Sequence, residues 1–148
     1  LIRYEQKGID SLTTATELYE FVSIQIKKRL YPQATKTFLK AIKLAENEPI
    51  EGRAIIENAL GFTYAAQKDF KKAIKHYKFA ITSLPDYTIA LNNLGSAQQS
   101  LFDYAEAYST YKKVLEIDPN NKTALKKSKE LEQRSSYKPF TESKNKGF

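Results

Sequence analysis

The sequence predicts an all-α solenoid of three helix-turn-helix repeats, closed at its C-terminal end by a capping helix. Two observations carry that prediction. Leu60-Gly61 returns as Leu94-Gly95, Ala73 as Ala107, Tyr77 as Tyr111 and Pro85 as Pro119, every pair 34 residues apart, and a fixed period of that length marks a stacked-repeat architecture. Between these marks apolar residues recur every three or four positions, as in Ala107, Tyr111, Val114 and Leu115, which is the spacing of amphipathic helices and not of strands.

Taken in order, residues 1–14 form a lead-in in which Arg3, Glu5, Lys7 and Asp10 break any apolar run, far short of the roughly 18 consecutive apolar residues a membrane-spanning helix needs. The sequence has no methionine, so Leu1 is not a natural translation start, which leaves room for a preceding signal or membrane anchor. The repeats then occupy 15–53, 54–87 and 88–121. In the first, Ala34, Phe38 and Ala41 match Ala73, Tyr77 and Ala80 at a spacing of 39, the extra residues falling in Asn47-Glu48-Pro49-Ile50-Glu51-Gly52, a turn-forming stretch between helix pairs. That repeat also carries Val22 at the glycine position and Gln25 at a tyrosine position, departures expected of a terminal repeat with no upstream neighbour.

The physics of the repeated residues is simple. Gly61 and Gly95, with Ala73 and Ala107 opposite, are small where paired helices approach closely, and Tyr77 and Tyr111 fill the wider gap beside them. Pro85 and Pro119 stop each second helix because proline cannot continue the backbone ladder. After Pro119 the stretch 122–134 copies a first helix but turns polar, with Lys129 in the glycine position, as a cap over the end of the core should. Residues 135–148 are polar and aperiodic and read as a mobile basic tail.

Composition bounds the function. One domain fits in 148 residues at 41% hydrophobic and 28% charged, and the lack of cysteine removes disulfide scaffolds, thiolate metal sites and thiol chemistry. The lone His76 has no second ligand or nucleophile near it in sequence and reads as a packing residue. Asp69, Asp86, Asp103 and Asp118 sit at helix boundaries and read as caps of free N–H groups, not as catalytic carboxylates. There is no Walker loop, dinucleotide turn or zincin motif. The net charge of +7 is concentrated towards the C-terminus, where it suits contact with an anionic membrane surface. Lys68, Lys71, Lys72, Lys75 and Lys78 form a second basic stretch at helical spacing, in which Lys72, Lys75 and Lys78 share one face able to attract nucleic acid or anionic lipid, and which reads first as a solvated convex face.

The order Leu-Gly, Ala, aromatic, Pro at this period resembles the tetratricopeptide-repeat (TPR) family. The resemblance implies that function lies in a groove lined by the first helix of each repeat. By that pattern the groove row is Thr16, Tyr19, Ser23 and Ile26, then Ile55, Asn58, Phe62 and Ala65, then Ile89, Asn92, Ser96 and Gln99, continued by Lys126 on the capping helix. Asn58 and Asn92 hold equivalent places, where an amide can grip a peptide backbone or merely suit the surface. TPR co-chaperones that bind acidic heat-shock C-termini place lysine and arginine in the groove. Here Tyr19, Ser23, Ile89 and Asn93 stand at those places, which argues against that role.

Lys27-Lys28-Arg29-Leu30-Tyr31-Pro32-Gln33-Ala34, Asn58-Ala59-Leu60-Gly61-Phe62-Thr63-Tyr64 and Asp118-Pro119-Asn120-Asn121-Lys122, with the long connection after the first repeat, resemble more narrowly the thylakoid TPR proteins of cyanobacteria and plastids that assist photosystem I assembly. That resemblance implies a non-catalytic scaffold without cofactor or metal. It would bind photosystem I subunits or an assembly intermediate on the stromal or cytoplasmic face of the thylakoid membrane. The alternative keeps the fold and changes the role, to an ordinary TPR adaptor or an assembly factor for photosystem II or another complex. Nucleic acid is not an expected partner, since no base-stacking side chain recurs at one groove position.

Overall fold

The computed structural model describes residues 15–44, 46 and 49–137, with the side chains of Ala15, Thr16, Leu18, Tyr19 and 135–137 outside the described set. Seven helices follow one another among the described residues: α1 Ala15–Lys27, α2 Tyr31–Leu44, α3 Ile50–Ala66, α4 Phe70–Ser83, α5 Thr88–Ser100, α6 Tyr104–Ile117 and α7 Lys122–Tyr137. They pair as three antiparallel hairpins, α1/α2, α3/α4 and α5/α6, with α7 laid against α6.

The core is a chain of small clusters, each built by one hairpin and the first helix of the next. Val22, Ala34, Phe38 and Ala41 pack with Ile56, Ala59 and Leu60 of the second repeat. Ala73 and Tyr77 pack with Leu94 and Ala97 of the third. Leu91, Ala107, Tyr111 and Val114 pack with Ala124 and Leu131 of α7. Since no hairpin buries its apolar face alone, stability comes from stacking, and α7 closes the last cluster. Leu125, at the register of the buried Leu91, is exposed.

The close approach expected at the glycines is there. A Cβ on Gly61 would lie 2.6 and 2.7 Å from ring carbons of Tyr77 and 3.1 Å from the Ala73 carbonyl oxygen, and one on Gly95 would lie 2.8 Å from Tyr111 Cζ. The second helices end before the prolines: Leu84 (φ −140°) and Asp118 (φ −135°) are extended, as residues preceding proline must be.

The turn inside each hairpin follows one design that the sequence does not announce. Arg29, Lys68 and Phe102 stand at equivalent places with φ of 60°, 68° and 65°. Around Lys68, its own N–H donates to Ala65 O and the Asp69 N–H to Tyr64 O, each at 2.9 Å. Arg29/Leu30 and Phe102/Asp103 repeat both bonds, so three Schellman turns reverse the chain with a non-glycine residue in the left-handed region.

Two expectations are corrected. Of the four aspartates only Asp69 caps a helix, accepting from the Lys72 N–H at 3.3 Å. Asp103 is an N-cap without a side-chain bond, Asp86 lies in the turn before the N-cap Tyr87, and Asp118 ends α6 and accepts from Asn121 Nδ2 at 3.3 Å. The cap of α7 is Asn121, whose Oδ1 accepts from the Ala124 N–H at 3.0 Å. The second correction is the end of the capping helix. It runs through Tyr137 instead of ending at 134, because Ser135 and Ser136 are of middling helix propensity and do not stop a helix. The lead-in 1–14 and residues 138–148 of the tail lie outside the described residues.

Candidate partner-binding groove

The first helices α1, α3 and α5 touch one another in sequence along the array. The bond from Asn93 Nδ2 to Asn58 Oδ1, at 3.0 Å, ties α5 to α3. On this shared face Ile55, Phe62 and Ile89 are 39%, 49% and 60% exposed, and Ser96 and Lys126 are exposed beside them. Leaving large apolar side chains in water is unfavourable for an isolated chain, and Ile55, Phe62 and Ile89 stand with Leu39, Phe79 and Phe102 among the exposed ones. Ser23, Asn92 and Gln99 are half-buried; Ile26 and Ala65 turn partly inward onto the core. The side chains of Thr16 and Tyr19 lie outside the described residues.

The two equivalent asparagines are built into the joints between repeats. Asn58 Nδ2 donates to Tyr87 Oη at 3.5 Å and Asn92 Nδ2 to Asn121 Oδ1 at 3.1 Å. Tyr87 and Asn121 are themselves equivalent, each the residue before the next first helix. The Oδ1 atoms differ. Asn58 Oδ1 receives Asn93, whereas the residue at that register beyond Asn92 is Lys127, which pairs with Glu130 at 3.7 Å. Asn92 Oδ1 is thereby a buried acceptor without a partner among the described residues, at the end of the groove next to α7.

Within each hairpin another equivalent pair bridges first and second helix. Thr37 Oγ1 donates to Gln25 Oε1 at 3.0 Å and Thr110 Oγ1 to Gln98 Oε1 at 2.7 Å. In the middle repeat Tyr64 and His76 take these places, stacked at 5.4 Å between ring centroids. His76 Nδ1 meets Glu57 Oε1 at 2.8 Å, so the lone histidine pins α3 to α4, in keeping with a packing role. Among the described residues no group of three His, Asp or Glu side chains is placed to hold a metal ion, and no helix is long and apolar enough to cross a membrane.

Stacked hairpins with an apolar row along their first helices define a helical-repeat binding module. Residues 53–120 match the tetratricopeptide-repeat family. The chain is 35% identical to the protein ycf37 of Cyanophora paradoxa over 86% of its own length and 73% of that protein. It is 32% identical to the Arabidopsis thaliana tetratricopeptide repeat domain-containing protein PYG7, chloroplastic, over 82% of its length but only 40% of that longer chain. Among solved structures, the first TPR of Spaghetti (RPAP3) bound to an HSP90 peptide superposes with a TM-score of 0.75 at 24% identity, over 83% of this chain and 96% of that one, a likeness of fold alone. The chain belongs to the tetratricopeptide-repeat family, in the plastid group that ycf37 represents.

Proposed function

We propose that this protein is a non-catalytic assembly and stability factor for photosystem I. In this reading it acts in the plastid at the thylakoid membrane, on the stromal or cytoplasmic side, and holds a subunit or an assembly intermediate in its groove until the complex is complete. The observation that carries the reading is the row Ile55, Phe62 and Ile89, exposed on consecutive first helices, in a chain whose relatives include a chloroplastic TPR protein. An uncharged, largely apolar row suits a hydrophobic client segment. An acidic C-terminal peptide needs cations to meet its carboxylates, and Ser23, Ile89 and Asn93 supply none.

The test is co-purification from native membranes with the tagged protein, followed by mass spectrometry, comparing wild type with Phe62→Ser/Ile89→Ser. These two side chains are exposed, so the variant should fold normally, whereas replacing Asn58 or Asn92 would also loosen the joints between repeats. Photosystem I subunits that are recovered with wild type and lost with the variant support the client and the groove together. Recovery of photosystem II or another complex would transfer the same scaffold reading to that client.

A further inference from the structure

The second helices turn their outer faces away from the groove, and these faces differ sharply along the array. α2 carries Lys36, Lys40 and Lys43, and α4 carries Lys71, Lys72, Lys75 and Lys78, with no Asp or Glu in either helix. All seven lysines are exposed. α6, by contrast, sets Glu106 and Glu116 against Lys112 and Lys113.

At 3.6 residues per turn, Lys36, Leu39, Lys40 and Lys43 fall within about 100° of α2, and the four α4 lysines with Phe79 within about 120° of α4. Each arc lies opposite an equivalent buried set, Ala34/Phe38/Ala41 and Ala73/Tyr77/Ala80, so the two arcs face the same outer side. Lys78 of α4 and Lys113 of α6 line one open cleft, which sets the outer faces of successive second helices side by side. Thr35 Oγ1 of α2 also accepts from Gln67 Nε2, at the turn that leads into α4, at 3.1 Å.

The nearby carboxylates do little to offset this charge. Asp69 is occupied with the N-terminus of α4 and with Lys72 at 3.8 Å, Glu57 faces inward to His76, and Glu106 of α6 is a single acid on the cleft it shares with both Lys78 and Lys113. Amid the lysines stand two large apolar side chains, Leu39 at 52% exposure and Phe79 at 47%. Cations suit any polyanion. Apolar side chains that project from the middle of a cationic face gain most where an apolar phase lies just beneath the charges, as it does under lipid headgroups.

We propose that the outer faces of α2 and α4 form a docking surface for an anionic lipid bilayer, with the lysines at the headgroups and Leu39 and Phe79 inserted between them. The neutral outer face of α6 takes no part. The proposal does not depend on which protein occupies the groove, since that lies on the first helices.

The experiment is co-sedimentation of the full chain with phosphatidylcholine vesicles, with and without phosphatidylglycerol, at about 0.1 M salt, where the Debye length is about 10 Å. Wild type should pellet only with the anionic vesicles. Lys71→Glu/Lys75→Glu/Lys78→Glu should weaken binding by at least about a hundredfold, at about fivefold per basic residue removed from an anionic surface. Leu39→Ser/Phe79→Ser should weaken it by about tenfold or more. A charge-matched tail variant, Lys138→Glu/Lys144→Glu/Lys146→Glu, should bind within a few-fold of wild type. Thermal melts followed by circular dichroism check that the exposed substitutions leave the fold intact. Equal loss in the α4 and tail variants would mark net charge instead of a face and overturn the proposal, as would equal binding to neutral vesicles. Binding of single-stranded RNA, lost in the α4 variant, without any vesicle binding would assign the face to nucleic acid and overturn it as well.

Discussion

Gly61→Ala is the sharpest probe of how the hairpins are held. The added Cβ would lie 2.6 Å from Tyr77 Cε1, 2.7 Å from Cδ1 and 3.1 Å from the Ala73 carbonyl oxygen. Ordinary carbon contacts lie near 3.5 Å, so the ring has to retreat by about 0.9 Å. It has nowhere to go, because Tyr77 is buried among Ala73, Leu94 and Ala97, and the Ala73 carbonyl moves only if α4 moves. Overpacking of this kind costs about 3 kcal/mol, the upper end for inserted methyl groups, offset by about 1 kcal/mol of helix propensity gained on replacing glycine. The net loss of about 2 kcal/mol corresponds to a fall in Tm of about 8 °C for a domain of this size.

For Gly95→Ala the three nearest atoms all belong to the Tyr111 ring, at 2.8–3.0 Å, a slighter overlap that should lose about half as much. Urea denaturation followed at 222 nm measures both. In the double variant Gly61→Ala/Tyr77→Leu the loss from the alanine should largely vanish, since the ring that clashes is gone, and the cycle isolates that coupling. If Gly61→Ala proves as stable as wild type or more so, helix propensity alone governs the site and the close packing of α3 on α4 is refuted.

Three other expectations bear on stability. Tyr111 Oη is buried with no partner among the described residues, so Tyr111→Phe should be neutral or stabilise by up to about 1 kcal/mol at pH 7 by urea titration. Burial first, and Glu130 second, push the Tyr111 hydroxyl up to about 12, and burial also raises Tyr77. A folded-state value above the unfolded one favours the protonated ring, so this stability is intact below pH 10 and is lost as pH climbs from about 10 to 12. Tyr111→Phe should blunt that alkaline loss in melts run across the range. Asn121→Ala removes both the cap of α7 and the partner of Asn92 and should cost about 1–2 kcal/mol, seen as a lower urea midpoint. Lys68→Gly relieves a left-handed residue, φ 68°, and should raise stability by about 0.5–1 kcal/mol in the same assay, the steric gain exceeding the entropy lost by glycine.

The residues that announced this architecture act locally or at a constant period. Pro85 and Pro119 end helices by their own covalent geometry, and Gly61 and Gly95 recur with Tyr77 and Tyr111 because every hairpin solves the same packing problem. Helical spacing alone places Ile55 with Phe62 on one side of α3, and the repeat carries that side to Ile89. Other features needed the tertiary structure, because they join residues far apart in sequence or use residues whose type does not disclose their role. Asn58 and Asn92 reach 29 residues ahead to Tyr87 and Asn121, a phenol and an amide that share only their capacity for hydrogen bonding. Gln25–Thr37, Tyr64–His76 and Gln98–Thr110 occupy one structural place with two kinds of contact. The three hairpin turns put Arg29, Lys68 and Phe102 in the left-handed region, where no glycine signals it, since the two Schellman bonds and the packing of both helices outweigh a local strain of about 1–2 kcal/mol. Which aspartate caps is likewise a matter of placement and not of residue type: Asp69 and Asp103 both stand at N-caps but only Asp69 closes a side-chain bond, Asp86 precedes the N-cap Tyr87, and Asp118 ends α6.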